Sequence, residues 1–319
     1  MKLLTISVAA YNAEKYIRKT LESLCCKNVS QIEVFVIDDG GNDGTLEIAK
    51  EFEQKYPNVF YAIHKENGGL GSTYNYSIQH ATGKYLKLLD GDDYFDTNEL
   101  DHLINFLGIT DADVVYTPYL TFDDETGKIL EHHNSVSYTR YQNMLMNLEE
   151  LNTYKDLVMH STMFKSELLK KGEVSITEKC FYTDTEFVSK ALFYSNTIWF
   201  TEYEVYQYRL GREGQSVDIN GLRKHYRESV KVCEELISFC NKNENDKNQP
   251  ILLYNISMMM DFVYHTLLIL RKKEDFVSFD RELKCFQVKH NLNVRNYVKF
   301  LRLLGYSMFN IVSSYLANK

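Results

Sequence analysis

The first hundred residues alternate short apolar runs with amphipathic stretches. Leu3 to Ala10 is an apolar run of strand length, and Ala13 to Cys25 then places Tyr16, Ile17, Leu21 and Leu24 at helical spacing. A second run, Ile32 to Ile37, ends in Asp38-Asp39-Gly40-Gly41-Asn42-Asp43-Gly44 and leads into a helical pattern carrying Leu46, Ile48, Ala49 and Phe52. Val59 to Ile63 is a third strand, followed by Asn67-Gly68-Gly69-Leu70-Gly71, where Ser72 stands to cap the next helix. Tyr85 to Leu89 is a fourth. Strands alternating with helices predict a mostly parallel sheet whose ligands bind at the carboxyl ends of its strands. Further on, Asp113 to Tyr119 reads as a strand, Tyr141 to Leu151 as helical and Phe164 to Leu169 as a helix. Thr197 to Tyr208 reads as a strand pair. From Gly221 the pattern is helical, interrupted by the polar stretch Asn241 to Pro250, and no internal repeat is visible.

Polar residues gather where the apolar runs stop: Asp38 and Asp39, then Asn67 with its glycines, then Asp90, Gly91, Asp92 and Asp93. Carboxylates so close repel one another, and a hard divalent cation, Mg²⁺ or Mn²⁺, reconciles them and brings phosphates with it. Asp90 and Asp92, two apart, share one side of an extended segment, and Gly91 lets a ligand approach the backbone. An ordinary turn rich in Asp and Gly is the alternative. Convergence of all three clusters on one sheet edge favours the metal and nucleotide reading.

Composition narrows the class. At 319 residues, 44% hydrophobic and 25% charged, the chain has globular values. A net charge of -8 and a pI near 5.7 argue against a general nucleic-acid binder, which needs basic charge to displace counterions. The balance is uneven: Arg271 to Lys319 holds ten Lys or Arg against four Asp or Glu, a local +6, and no carboxylate side chain follows Glu282. Six cysteines without a Cys-x-x-Cys pair suit buried thiols in a reducing cytoplasm. The N-terminal apolar run is too short for a signal peptide. Ile251 to Leu270 contains Asn255, Asp261 and His265, and reads as a buried helix rather than a membrane span. Near the end, Arg295, Lys299 and Arg302 fall at i, i+4 and i+7, continued by Asn310 and Ser313; Leu301, Leu304, Met308, Ile311, Val312 and Tyr315 mark the other face. Such a basic amphipathic helix either docks onto the protein's own domain or a homodimer mate, or makes a peripheral contact with an anionic bilayer.

Four pieces together resemble glycosyltransferase family 2, the nucleotide-sugar-dependent enzymes of GT-A fold: Ser7-Val8-Ala9-Ala10-Tyr11-Asn12-Ala13-Glu14-Lys15-Tyr16-Ile17; Val36-Ile37-Asp38-Asp39-Gly40; Asn67-Gly68-Gly69 followed by Asn75 and Ala81-Thr82-Gly83-Lys84-Tyr85; and Leu89-Asp90-Gly91-Asp92-Asp93. The resemblance implies an α/β GT-A catalytic domain over residues 1–218 and a helical C-terminal region over 219–319. It implies that Ala9 and Tyr11 contact uridine, Tyr11 by stacking, and that Asp39 accepts from uracil N3. Asn67, Gly69 and Gly91 would line the same nucleotide. Asp90 and Asp92 match the Asp-x-Asp motif, which holds the ribose and a metal-bridged diphosphate, with Asp92 the first choice as direct ligand. Tyr182-Thr183-Asp184-Thr185-Glu186-Phe187 resembles the segment that supplies the catalytic base, here Asp184 with Glu186 as runner-up, although the family's usual Glu is Thr183. Tyr208-Arg209-Leu210-Gly211-Arg212-Glu213-Gly214-Gln215-Ser216 resembles a segment whose Arg209 or Arg212 meets diphosphate oxygens. His160 is a candidate acceptor contact, whereas His64 and His80 read as structural.

The implied activity is an inverting, Mn²⁺- or Mg²⁺-dependent transfer of a hexose or N-acetylhexosamine from a UDP-sugar to a glycan or polyprenyl-linked glycan hydroxyl. Bacterial surface-glycan synthesis, in the cytoplasm or at the inner face of the plasma membrane, is the implied setting. A sugar nucleotidyltransferase would want a Gly-rich basic loop after strand one, and a nicotinamide dehydrogenase a Gly-x-Gly-x-x-Gly there; Ala9 to Ala13 is neither. A nucleotide-sugar-binding subunit of another transferase stays open.

Overall fold

The computed structural model describes residues 2–134, 139–212, 218–244 and 246–317. It divides into two compact units, Met1–Glu213 and Gly214–Lys319. The first begins with β1 (Leu4–Ala10), α1 (Glu14–Ser23), β2 (Ile32–Asp38), α2 (Thr45–Lys55), β3 (Phe60–His64), α3 (Leu70–His80) and β4 (Tyr85–Asp90), the alternation expected from the sequence. It continues through β5 (Tyr94–Phe95), α4 (Thr97–Leu107), β6 (Val114–Tyr116), β7 (Tyr119–Asp123), β8 (Ile129–His133), β9 (Met144–Asn147), β10 (Thr162–Lys165), α5 (Ser166–Lys171), α6 (Thr183–Phe193), β11 (Thr197–Phe200) and β12 (Tyr206–Leu210).

Eight strands form the main sheet in the order β3-β2-β1-β4-β10-β6-β11-β9. The four that open the chain are parallel, and all seven residues of β2 are buried, as a sheet covered on both faces requires. Their register aligns the polar ends: Ala10 pairs with Asp38, and Ala9 with both Ile37 and Asp90. At the opposite edge, buried Glu33 accepts from Thr5 Oγ1 (2.5 Å), Thr82 N (2.5 Å), Thr82 Oγ1 (2.7 Å) and Gly83 N (3.0 Å). The Thr82-Gly83 motif therefore braces the sheet at the far end from the carboxylates.

Three local expectations give way to tertiary pairing. Asp113 to Tyr119 is not one strand, because the chain breaks at Thr117-Pro118 and passes from the main sheet to a second sheet of order β5-β12-β7-β8; proline has no N–H to give a ladder. Thr197 to Tyr208 likewise yields β11 in one sheet and β12 in the other. Met144 to Asn147, within the stretch read as helical, pairs antiparallel with β11 as an edge strand. Ser72 caps nothing from outside: α3 starts at Leu70, and Ser72 Oγ donates within its first turn to Gly69 O (2.7 Å).

Gly71 in α3 marks a close approach. A methyl group there would lie 2.1 Å from the Thr177 carbonyl oxygen. Helix propensity favours Gly71→Ala by about 1 kcal/mol, but the obstacle is backbone and cannot rotate away. We expect a net destabilisation of about 1–3 kcal/mol, measured by urea unfolding; a stabilised variant would show that the 176–177 segment yields.

The second unit contains α7 (Ile219–Lys242), α8 (Gln249–Ile269), α9 (Lys273–Lys289), α10 (Asn296–Leu303) and α11 (Phe309–Ala317). Among the described residues α8 alone is long and apolar enough to cross a membrane, yet Leu252, Ile256, Met260, Val263, Tyr264 and Leu267 are buried within this unit. At its core Asp280 accepts from Tyr264 (2.6 Å), Tyr306 (2.6 Å) and Arg302 Nη2 (2.7 Å). Burial alone would raise the Asp280 pKa, but the hydrogen bonds from Arg302, Tyr264 and Tyr306 outweigh it and hold it below its ordinary value. A depressed carboxyl pKa contributes stability that is present above the unfolded value, about 4, and is lost as pH falls through the folded one. Asp280→Asn should therefore cost about 3 kcal/mol at pH 7, with its deficit against wild type narrowing below about pH 4. Denaturant midpoints across that range check both statements.

Candidate active site

The site grows from the carboxyl ends of β1, β2 and β4. Tyr11, just past β1, is 55% exposed, so it is not a core tyrosine; its ring is open to a ligand. Asp38 is buried, accepting from Gly41 N (3.0 Å) and facing His64 Nδ1 at 2.7 Å. Asp39 is also buried. Its carboxylate accepts from Gly68 N (2.9 Å), Gly69 N (2.7 Å) and Lys65 Nζ (2.7 Å), while Asn67 Nδ2 donates to its backbone carbonyl at 2.9 Å. The Asp39 carboxylate thus holds the Asn67-Gly68-Gly69 turn and Lys65 at the carboxyl end of β2. The turn needs glycine at Gly69, whose φ is +75°.

The loop after β4 is held from several directions. Gly91 N donates to Ala9 O (2.8 Å), and an added methyl at Gly91 would meet that oxygen at 2.9 Å. The chain turns at once, Asp93 N donating to Asp90 O (3.0 Å), so Asp90 and Asp92 do not lie along one extended segment as expected. Asp93, fully buried, accepts from Tyr206 Oη (2.7 Å) and Arg209 N (2.8 Å), which makes it the anchor of the loop. Arg209 is an anchor too. Its Nε donates to Asp92 O (2.6 Å), its Nη1 to Asp124 Oδ1 (2.6 Å), and the guanidinium lies 4.6 Å from the Tyr16 ring and 4.9 Å from that of Phe122. The two arginines thus separate: Arg209 is committed to the scaffold, whereas Arg212 forms an ion pair with the Asp92 carboxylate. Glu213, Gly214, Gln215 and Ser216 of that segment lie outside the described residues.

Asp184 stands in the first turn of α6, after Tyr182 in left-handed conformation (φ 64°). Burial raises its pKa. Glu186, the alternative base, is wholly buried, paired with Lys190 Nζ (2.6 Å) and accepting from Thr177 N (3.1 Å); it braces α6 and is not available to a substrate.

Electrostatics ties the pieces together. The Asp90 carboxyl is pushed up to about 7, first by burial, then by the charges of Asp92 and Asp184, with Arg212 pulling the other way. The Tyr208 hydroxyl is raised by burial and then by Asp90, Asp93, Asp184 and Asp92, so one ring senses all four carboxylates. His160 stacks on Tyr208 (4.2 Å, 26°) and meets Tyr206 edge-on (4.8 Å, 85°), with burial and Lys87 holding its pKa down near 3. Ligand atoms of Asp90, Asp93 and His160 lie within 4.8 Å of one another. Carboxylates that raise one another's pKa supply the oxygen donors that a hard divalent cation takes.

Sequence reasoning missed Lys65, Asp124 and Tyr206. Lys87, fully buried, was missed as well; its Nζ donates to the carbonyls of His160 (3.0 Å) and Thr162 (3.3 Å). Only Lys87 left a trace in the sequence, as a charge inside the apolar run Tyr85 to Leu89.

Comparison with known proteins agrees with this geometry. Residues 5–172 match the model of Glycosyl transferase family 2. The chain is 27% identical over 214 residues to EpsH of Bacillus subtilis (strain 168), covering 65% of this chain and 60% of that protein. It is 27% identical over 219 residues to the minor teichoic acid biosynthesis protein GgaB of the same organism, covering 66% of this chain and 23% of GgaB. The chain thus spans less than two thirds of either relative. Among solved structures, residues 1–349 of Staphylococcus aureus TarS in complex with UDP-GlcNAc superpose with a TM-score of 0.60 at 19% identity, covering 92% of this chain and 93% of that one. The mannosyltransferase PcManGT of Pyrobaculum calidifontis, with GDP-Man and Mn²⁺, gives 0.52 at 14% identity over 98% and 84%. These likenesses show the GT-A fold, and with a family model that matches more than half of its length, the chain belongs to glycosyl transferase family 2.

Proposed function

We propose that this chain moves a sugar from a UDP-sugar to an acceptor hydroxyl, in one inverting displacement, during assembly of a bacterial surface glycan. The observation that carries the reading is the division of labour among the carboxylates. Asp90 and Asp92 lie at the end of β4, next to the end of β1 that leads into Tyr11, while the Asp184 charge, from α6, acts on Asp90 and burial raises the pKa of Asp184. UDP-GlcNAc in the TarS neighbour and the teichoic acid role in GgaB's name support the donor class and the setting.

In this reading Tyr11 stacks on the base, and the Asn67 to Gly69 turn, held by Asp39, shapes the nucleotide pocket. Asp92 and Asp90 would hold a divalent cation, with His160 beside Asp90. Bound there, the cation supplies charge stabilisation for the departing diphosphate. Arg212, paired with Asp92, would meet a diphosphate oxygen. Asp184 accepts the proton of the attacking hydroxyl, a role that a raised pKa favours near neutral pH.

A panel of UDP-sugars, with GDP-mannose and UDP alone, tests this by thermal shift in Mn²⁺. At least one UDP-sugar should raise the melting temperature more than UDP does. A shift with GDP-mannose and none with any uridine nucleotide would overturn the donor assignment.

A further inference from the structure

Helices α10 and α11 present a different surface from the one their sequence suggests. Arg302, expected on an exposed basic stripe, points inward to buried Asp280, and Arg295 Nε pairs with Asp261 Oδ2 at 2.7 Å. Val298, Leu301 and Phe309 fill the interior of the second unit. Large apolar side chains remain outside beside polar ones: Phe300 is 45% exposed, Leu303 82%, Leu304 38%, Ile311 61% and Tyr315 60%. Phe300, Leu303 and Leu304 fall three and four residues apart, as do Ile311 and Tyr315, so each set shares a helix face. Exposed Lys299 lies one turn before Leu303. After Glu282 the chain carries Lys284, Lys289, Arg295, Lys299, Arg302 and Lys319 and no acidic side chain.

We propose that the outward faces of α10 and α11 lie on an anionic lipid surface. Phe300, Leu303, Leu304, Ile311 and Tyr315 enter the boundary between headgroups and acyl chains, and Lys299 meets the headgroups. At about 1.5 Å per residue, helices of eight and nine residues are far shorter than the roughly 30 Å hydrocarbon core, so they rest on a bilayer rather than cross it. A second copy of the chain is the less favoured occupant. With Arg295 and Arg302 held in ion pairs, a two-fold contact would set exposed Lys299 against a segment that has no acidic side chain, whereas an anionic bilayer complements it. This inference stands apart from the proposed reaction.

Co-sedimentation of the full chain with extruded vesicles tests it, using phosphatidylcholine alone and phosphatidylcholine mixed with phosphatidylglycerol. Wild type should pellet with the anionic vesicles, severalfold less with neutral ones and less at high salt. Leu303→Glu combined with Ile311→Glu should abolish pelleting, and Lys299→Glu should weaken it, with melting temperatures unchanged. Wild type left in the supernatant with both vesicle types would overturn the proposal. So would a concentration-dependent dimer broken by Leu303→Glu, which assigns the face to a second copy, or a lowered melting temperature of the double variant, which places the face inside the fold.

Discussion

Asp184→Asn should bind UDP-sugar as wild type does and turn over about 10²–10⁴-fold more slowly, the range that loss of a general base produces. The substitution is close to isosteric and removes the negative charge together with the ability to take a proton. It sits in the first turn of α6, where Glu186, not Asp184, carries the bracing contacts to Thr177 and Lys190, so the helix should stay in place. The informative readout is the split between donor affinity and kcat, measured by calorimetry and single-turnover transfer. Equal loss of both would move Asp184 from proton transfer to donor binding. Glu186→Gln supplies the contrast: it should lose stability first, because it breaks a buried ion pair.

Asp92→Ala should lower kcat by at least about 10²-fold, comparable with removing a charge-stabilising group at a developing anion, while the protein stays folded. The fold survives because the loop is anchored through the backbone carbonyl of Asp92, which accepts from Arg209, and through the buried side chain of Asp93. Near-wild-type turnover of this variant would remove Asp92 from the reaction. Asp93→Ala should instead unfold the loop, since it leaves Tyr206 and the Arg209 amide without their acceptor.

Much of the first unit was legible in the sequence because β1, β2 and β4 are short runs buried almost throughout, and β2 and β4 run directly into Asp and Gly. That pattern encodes alternation and the switch-point edge directly. What it does not encode is which polar group each carboxylate already serves. Asp124 holds Arg209 from 85 positions away, and nothing in the local sequence of either residue marks the pair. The same gap reversed the reading of α10. Periodicity groups Arg295 with Arg302, but only the fold shows Asp261 and Asp280 waiting on neighbouring helices to draw them in. Glu186 and Asp184, two residues apart, part company for the same reason: one finds Lys190 and Thr177, the other faces the cluster. Met144 to Asn147 became a strand because β11 offered an open edge, a fact of topology rather than propensity.

The central claim is that the carboxylates at the end of β4 bind a nucleotide diphosphate through a divalent cation. Titration of UDP into the purified chain by calorimetry, once with Mn²⁺ and once with EDTA, tests it most directly. UDP should bind at least about tenfold more tightly with Mn²⁺, a difference of about 1.4 kcal/mol, and Asp92→Ala should erase that difference. UDP affinity that is the same in Mn²⁺ and EDTA, in wild type and variant alike, would contradict the account.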